Sequence, residues 1–240
     1  MDGNDLVRGG LGIDTYDASA ATGPVFINLD TVAHDFGPLA PGVGLVAANT
    51  AAGTDVAGNG NDAIFGFENV NCGASLDVIY GSAAGNTLNG GDNNDILFGF
   101  GGNDKLNGDA GSDDLIGGAG KDQLTGGAGS DFFHYLKLSD SGITAATRDL
   151  IADFESGVDK IDLSFIDANT LQTGDQAFNF IGPNVPFQLG TQFAGQLNAF
   201  WSAIGQIIQG DVNGDAKPDF SIEIADPAHA ITLTGASFNL

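Results

Sequence analysis

From residue 72 the chain divides without gaps into seven nine-residue blocks: CGASLDVIY, GSAAGNTLN, GGDNNDILF, GFGGNDKLN, GDAGSDDLI, GGAGKDQLT and GGAGSDFFH, ending at His134. Glycine opens six of the seven, Cys72 being the exception. Position six holds Asp77, Asn86, Asp95, Asp104, Asp113, Asp122 and Asp131. Position eight is always apolar: Ile79, Leu88, Leu97, Leu106, Leu115, Leu124 and Phe133. A unit this short cannot bury its apolar residue alone, so copies must stack. Each block joins a glycine-rich half, which turns, to a strand-length half centred on the apolar residue. Two blocks return the chain to its starting direction, so one coil is a pair of nonapeptides. Side chains alternate faces along a strand, which turns position eight inward and positions seven and nine outward. The prediction is an all-β chain built on a parallel β-roll, two parallel sheets enclosing a column of Ile and Leu.

Coiling stacks every second block. One ladder then carries Asp77, Asp95, Asp113 and Asp131, the other Asn86, Asp104 and Asp122. Carboxylates one strand spacing apart (~4.8 Å) repel unless a cation sits between them. Glycine permits φ > 0, which exposes backbone carbonyl oxygens in the same turns. A donor set of carboxylate and carbonyl oxygen, with six or more donors within reach, fits Ca²⁺ and not a thiolate or imidazole metal. Counting stacked pairs gives on the order of five ions. The pairs Asp95/Asp113, Asp113/Asp131 and Asp104/Asp122 are expected to be the strongest. Those that use Asn86 or the glycine-poor first block are expected to be weaker.

Composition points the same way. Lys and Arg number 7 against 31 Asp and Glu, for a formal charge of −24, and 38 residues are Gly. That charge excludes nucleic acid and anionic membrane as partners, since both need a basic footprint. So much glycine and so much like charge both oppose a compact state, and a cation relieves the second. A single Cys excludes an internal disulfide framework, and no apolar run reaches the ~20 residues needed to span a bilayer. The N-terminal MDGNDLVRGG lacks the basic-then-apolar layout of a cleavable signal peptide.

Residues 1–71 hold partial repeats. Asp5 and Asp14 keep the nine-residue spacing, and GNGND, ending at Asp62, reads as a further copy. The first repeat lacks its opening glycines, as though the chain starts partway through an array. GPVFINLD reads as a strand, followed by an Ala-, Gly- and Pro-rich stretch from Thr31 to Gly58. After His134 glycines thin out, and 11 of the 17 Phe fall between Phe132 and Phe238. QAFNFIG (176–182) and DFSIEIA (219–225) alternate as half-buried strands do, with Phe220, Ile222 and Ile224 on one face and Ser221 and Glu223 on the other. Residues 135–240 are therefore expected to form a second, β-sandwich-like domain that continues the roll of 72–134.

Residues 72–134 resemble the RTX (repeats-in-toxin) β-roll, whose nonapeptide has the form G-G-x-G-x-D-x-U-x. Residues 132–240 resemble the C-terminal domain of serralysin-type secreted metalloproteases, through FFHYLKLSDSG (132–142), DLIADFESGVDKIDLS (149–164), QAFNFIG and GDVNGDAKPDFSIEI (210–224). The resemblance implies a secreted, extracellular module, exported by a type I ABC exporter on an uncleaved C-terminal signal and folding on Ca²⁺ outside the cell. It also implies backbone carbonyl ligands at positions one and four of the blocks: Gly90, Gly99, Gly102, Gly108, Gly111, Gly117, Gly120, Gly126 and Gly129. The chain ends Ser237-Phe238-Asn239-Leu240, whereas family members often end in an acidic residue followed by apolar ones. HExxH is absent and His34, His134 and His229 are scattered, so the protease's zinc centre is not encoded here.

The function these residues imply is a non-catalytic calcium-binding module that supports folding and export of an attached activity. Two alternatives stand beside it. One is an extracellular adhesin or carbohydrate-binding module; the other is the C-terminal part of a secreted metalloprotease or polysaccharide-modifying enzyme. Asp211, Asn213, Asp215 and Asp219 form a D-x-N-x-D-x-x-x-D run with Gly214 at the sharp turn, but Ile222 stands where an EF-hand would place its bidentate Glu. That run fits either a further Ca²⁺ site or a polar hairpin turn. Finally, the outward positions of the two sheets differ. Thr87, Asn89, Lys105, Asn107, Gln123 and Thr125 are all polar, whereas Val78, Tyr80, Ile96, Phe98, Ile116 and Phe132, interrupted by Asp114 and His134, are largely apolar. A contiguous apolar stripe is seldom left in water, so this face is expected to be covered by residues 19–56, by the C-terminal domain or by a partner.

Overall fold

The computed structural model describes residues 6–21, 23–31, 33, 50–55, 58–226 and 228–240, with side chains described outside 6–7, 50–55 and 58–65. Asp5, His34 and the side chain of Asp62 lie outside the described residues. Two large sheets make up the fold. The first has eleven strands. In spatial order they are Leu6–Arg8, Gly58–Phe65, Thr50–Asp55, Val25–Asn28, Val78–Ser82, Ile96–Gly102, Asp114–Ile116, Phe132–His134, Lys160–Asp162 and Phe238–Asn239, with Ala119–Gly120 beside Ile96–Gly102. The second has ten: Asn179–Pro183, Gln196–Trp201, Gly205–Asp211, Phe220–Ala225, Leu150–Ile151, Gln123–Gly129, Lys105–Gly111, Thr87–Asp92, Asn69–Asn71 and Thr15–Asp17. Helical structure among the described residues is limited to short 3₁₀ turns such as Leu138–Asp140.

The nonapeptides form the parallel β-roll that the repeat predicts. Val78 pairs with Ile96, Ile96 with Asp114 and Asp114 with Phe132, each partner two nonapeptides on. Thr87, Lys105 and Gln123 are registered in the same way on the opposite sheet. All seven position-eight residues are buried, none more than 1% exposed. Past the array the same pairing continues with longer coils: Gln123 pairs with Leu150 and Phe132 with Lys160, in each case about three nonapeptide lengths on. The inner column therefore runs on through Ile151, Ile161, Ile224 and Phe238, and one hydrophobic cluster extends from Val25 to Phe238. His134 ends the nine-residue period, yet both sheets pass across it.

The two outer faces differ as their residues suggest. Lys105 and Gln123 are exposed. On the other sheet Val78, Tyr80, Ile96, Phe98 and Ile116 are at most 8% exposed and form a second cluster with Phe26, Phe100 and Leu136. Tyr80 and Phe98 meet with ring centroids 5.3 Å apart, and Phe98 stacks on Phe100 at 6.1 Å. A parallel sheet buried on both faces accounts for the unbroken apolar runs Val78-Ile79-Tyr80 and Ile96-Leu97-Phe98. Leu136 comes from the C-terminal part of the chain, whereas most of the 32–57 stretch lies outside the described residues.

Two sequence expectations are modified. The backbone of 58–62, read as a repeat turn, belongs to the strand Gly58–Phe65, which forms an antiparallel hairpin with Thr50–Asp55. Ser221, expected on the open face of its strand, is fully buried because the 141–142 segment lies over it. Its hydroxyl donates to the Gly142 carbonyl at 2.9 Å, and Ser141 Oγ donates to its carbonyl at 2.6 Å.

Truncating a position-eight side chain leaves a cavity between two stacked sheets that cannot collapse freely. Leu106→Ala should cost about 2–5 kcal/mol in urea unfolding of the calcium-saturated protein, whereas Asn107→Ala on the open face should stay within about 0.5 kcal/mol. Equal losses would contradict this packing.

Candidate metal centres

The position-six side chains form a continuous ladder on each edge of the roll. Backbone N–H of Asp77 donates to Asp95 Oδ1 at 2.7 Å, that of Asp95 to Asp113 Oδ1 at 2.7 Å, and that of Asp113 to Asp131 Oδ1 at 2.9 Å. On the other edge Asn86 N–H donates to Asp104 Oδ1 at 2.7 Å and Asp104 N–H to Asp122 Oδ1 at 2.8 Å. One oxygen of each aspartate thus fixes the stacking. The other, Oδ2, is buried without a hydrogen-bond partner at Asp95, Asp104, Asp113, Asp122 and Asp131. Buried polar atoms are normally paired, so a row of orphaned anionic oxygens marks a place built for a cation.

Sterics explain the opening glycine. A Cβ on Gly90, Gly99, Gly108, Gly117 or Gly126 would fall well inside 3.0 Å of the Oδ2 of the aspartate five residues on. At Gly99 the same point is also approached by the carbonyl of Gly117, and at Gly108 by that of Gly126. Carboxylate and carbonyl oxygens therefore converge at these two turns. The position-four glycines meet a second constraint: a Cβ on Gly111, Gly120 or Gly129 would strike the carbonyl of Asn93, Gly102 or Gly111 in the coil before it. At Gly102 it would strike the backbone of Ala84 and Gly85. Among the described residues no three His, Cys, Asp or Glu side chains gather as a metal-holding group. A cation here would thus be held by aspartates of stacked turns completed by main-chain oxygens, a hard-oxygen set that fits Ca²⁺.

Burial pushes the ladder carboxyls above their ordinary range, and like charges nearby add to it, stacked rungs at Asp95, Asp104, Asp113 and Asp131, and Asp140 at Asp122. Asp95 rises to about 8, with Asp77 and Asp113 as like charges. Asp104 and Asp113 rise to about 7, beside Asp122 and Asp131 respectively. Asp122 and Asp131 rise to about 6.

Both ladders extend beyond the nonapeptides, which the repeat period did not reveal. Asp122 N–H donates to Asp149 Oδ1 at 2.8 Å, and Asp131 N–H to Asp159 Oδ1 at 3.1 Å. Asp149 is fully buried, its Oδ2 is unpartnered, and burial with the Asp122 charge raises it to about 9. Asp159 instead accepts from Glu155 N–H through its second oxygen at 2.7 Å. The signal was present as Asp149-Leu150-Ile151 and Asp159-Lys160-Ile161, which repeat positions six to eight without the opening glycine, Gly157 keeping position four of the second. At the other end Glu68 takes position six and accepts from Asp14 N–H at 2.9 Å. Asp77 and Asn86, expected among the ligands, already have both terminal atoms in hydrogen bonds.

The 211–219 run closes into a loop with Gly214 at φ 72°. Asp211 Oδ1 accepts from Asn213 and Gly214 N–H at 3.1 and 2.7 Å, and its Oδ2 from Ala216 N–H at 2.9 Å. Asp219 accepts from Val212 N–H at 2.8 Å and from Asn213 Nδ2 at 3.0 Å, while Asp215 accepts from Lys217 N–H at 2.9 Å. His134 is tied between Asp162 at Nδ1 and Asp114 at Nε2, each 2.8 Å away, so neither ring nitrogen is open to a metal. His229 is exposed and lies tilted against Trp201 with centroids 4.4 Å apart. Cys72 is buried, and desolvation pushes its thiol well above the usual range, which makes it inert.

Stacked coils with oxygen-lined turns define a parallel β-roll module of the RTX type, a class whose turns bind Ca²⁺. The chain belongs to the family described as peptidase M10 serralysin C terminal, which matches residues 6–232. Among solved structures it is similar to the AlgE6R2 subunit of the Azotobacter vinelandii mannuronan C5-epimerase, at 28% identity and a TM-score of 0.44, over 67% of this chain and 89% of that one. The AlgE6R3 subunit of the same enzyme is 25% identical, with a TM-score of 0.33, over 68% of this chain and 76% of that one. A comparison with curated protein sequences finds no match.

The raised carboxyl pKa values fix the sign of the pH dependence. Unfolded aspartate titrates near 3.9, so between there and about 6–8 the folded, metal-free roll binds more protons than the unfolded chain and loses stability as pH rises. In EGTA, circular dichroism should show more β structure at pH 5 than at pH 8, with the gap closed by calcium. A roll more stable at pH 8 without calcium would contradict the buried ladder.

Proposed function

We propose that this chain is a non-catalytic, secreted calcium-binding module that folds outside the cell and supports export and folding of an attached activity. The carrying observation is the set of buried, partnerless carboxylate oxygens at Asp95, Asp104, Asp113, Asp122, Asp131 and Asp149. Ca²⁺ supplies the positive charge these oxygens lack. The ligands are those aspartates, with backbone carbonyls of the position-one and position-four glycines, Gly90 through Gly129, completing each shell. The 211–219 loop, with Asp211, Asn213, Asp215 and Asp219, is a further candidate near the C-terminus. Two features set the direction of the switch. Without calcium, ionised stacked aspartates repel and 38 glycines favour the open chain, a form suited to passage through a type I exporter. At the millimolar calcium of extracellular fluid, sites with Kd of roughly 10⁻⁴–10⁻³ M fill, and binding energy becomes folding energy. Membership of the serralysin C-terminal family supports the extracellular setting. No helix among the described residues is long and apolar enough to cross a membrane.

Adding calcium to chelated protein should raise β-sheet circular dichroism steeply and shrink the hydrodynamic radius. Asp113→Asn should move the midpoint to about tenfold higher calcium, because ligand charge sets the affinity of such sites. An unchanged spectrum on calcium addition would rule the reading out.

A further inference from the structure

The two terminal atoms of Asn86 behave unlike those of the other rungs on its ladder. At Asp104, Asp122 and Asp149 one carboxylate oxygen accepts from the preceding rung and the second has no partner. At Asn86 the polarity is reversed. Its Nδ2 donates to the Glu68 carbonyl at 2.7 Å, and its Oδ1, the atom nearest Gly81, accepts from Ser82 N–H at 2.7 Å and Ser82 Oγ at 3.2 Å. Released from the ladder, Glu68 N–H turns to the Asp14 carbonyl at 3.2 Å. Asn86 is 3% exposed, so these bonds are made away from water. The other ladder is closed at the same coil by different means: Asp77 Oδ1 accepts from Val25 N–H at 2.6 Å and its Oδ2 from Gly73 N–H at 3.3 Å.

We propose that Asn86 is a built-in replacement for a cation: its neutral Oδ1 stands opposite Gly81, the place where the later rungs of this ladder hold an orphaned Oδ2, and is already answered by Ser82, so the cation-dependent part of this ladder starts at Asp104. This rests on reading the orphaned oxygens as calcium ligands. The chemistry is local and directional. A nitrogen and a carbonyl oxygen 2.7 Å apart attract through one hydrogen bond. With a carboxylate at position 86 the Glu68 carbonyl would lose this donor and a buried negative charge would enter the turn opposite Gly81, which a divalent cation would neutralise. The N-terminal coils, carrying Thr15–Asp17 and Asn69–Asn71, are therefore joined to the roll by neutral hydrogen bonds and do not depend on an ion at this junction.

The test is calcium stoichiometry by isothermal titration and equilibrium dialysis on the full chain. Asn86→Asp should bind one more Ca²⁺ per chain than wild type, and in EGTA should retain less β-sheet circular dichroism at pH 8. Asp104→Asn, which places an amide at a rung with an orphaned oxygen, should bind at least one ion fewer while still folding at saturating calcium. Asn86→Asp that folds normally with wild-type stoichiometry would overturn the proposal. Should that variant fail to fold, Asp104→Asn with an unchanged ion count would overturn it instead. Wild type that binds no calcium would sink the functional reading itself, a distinguishable result.

Discussion

Like-charged oxygens held at strand spacing are the constraint on which this fold turns. Each rung uses one carboxylate oxygen to bind the backbone of the coil before it, and that bond delivers the second oxygen into a buried turn. The two roles cannot be separated, because the same side chain both sets the register and creates the electrostatic problem. The leucine column is continuous where the rungs stack, and stacking the rungs brings their charges together. Hydrophobic burial and the buried charge of the turns are therefore coupled through a single residue per block.

The repeat was legible because it is short and registered. Position eight gave the core, position six the ladders, and the alternation of positions seven and nine identified the outer face that the structure buries around Val78, Tyr80 and Phe98. Asp149 and Asp159 were hidden for a physical reason. Their coils are half as long again as those of the repeat and lack the opening glycines, so a search by period loses them although the short Asp-x-apolar triplet survives. Glu68 was hidden by chemistry, a longer side chain standing in register where the repeat places an aspartate. The behaviour of Asn86 depends on the direction of one amide, which its sequence position does not specify.

The junction between the repeats and the C-terminal part is cross-linked by more than the sheets. His134, at the last outward position of the array, joins Asp114 of the preceding coil to Asp162 of the next, and Phe132 stacks on its ring with centroids 5.7 Å apart. Burial alone would lower the imidazole pKa, but the two carboxylate partners win and hold it up at about 9. A charged ring between two acids offsets part of the local negative charge in a chain that carries very few cations. The C-terminal part also covers the apolar outer face through Leu136, so the roll and its extension share surfaces as well as strands.

The long coils carry a wider implication. Gln123 and Leu150 stay in register although the path between them includes the 3₁₀ turn Leu138–Asp140 and a loop bonded to Ser221. What a coil needs in order to join the stack is the triplet at its landing point; the route taken to get there is free. Such an architecture can acquire new excursions on its rim while its spine is left alone, much as storeys can be widened around an unaltered stairwell.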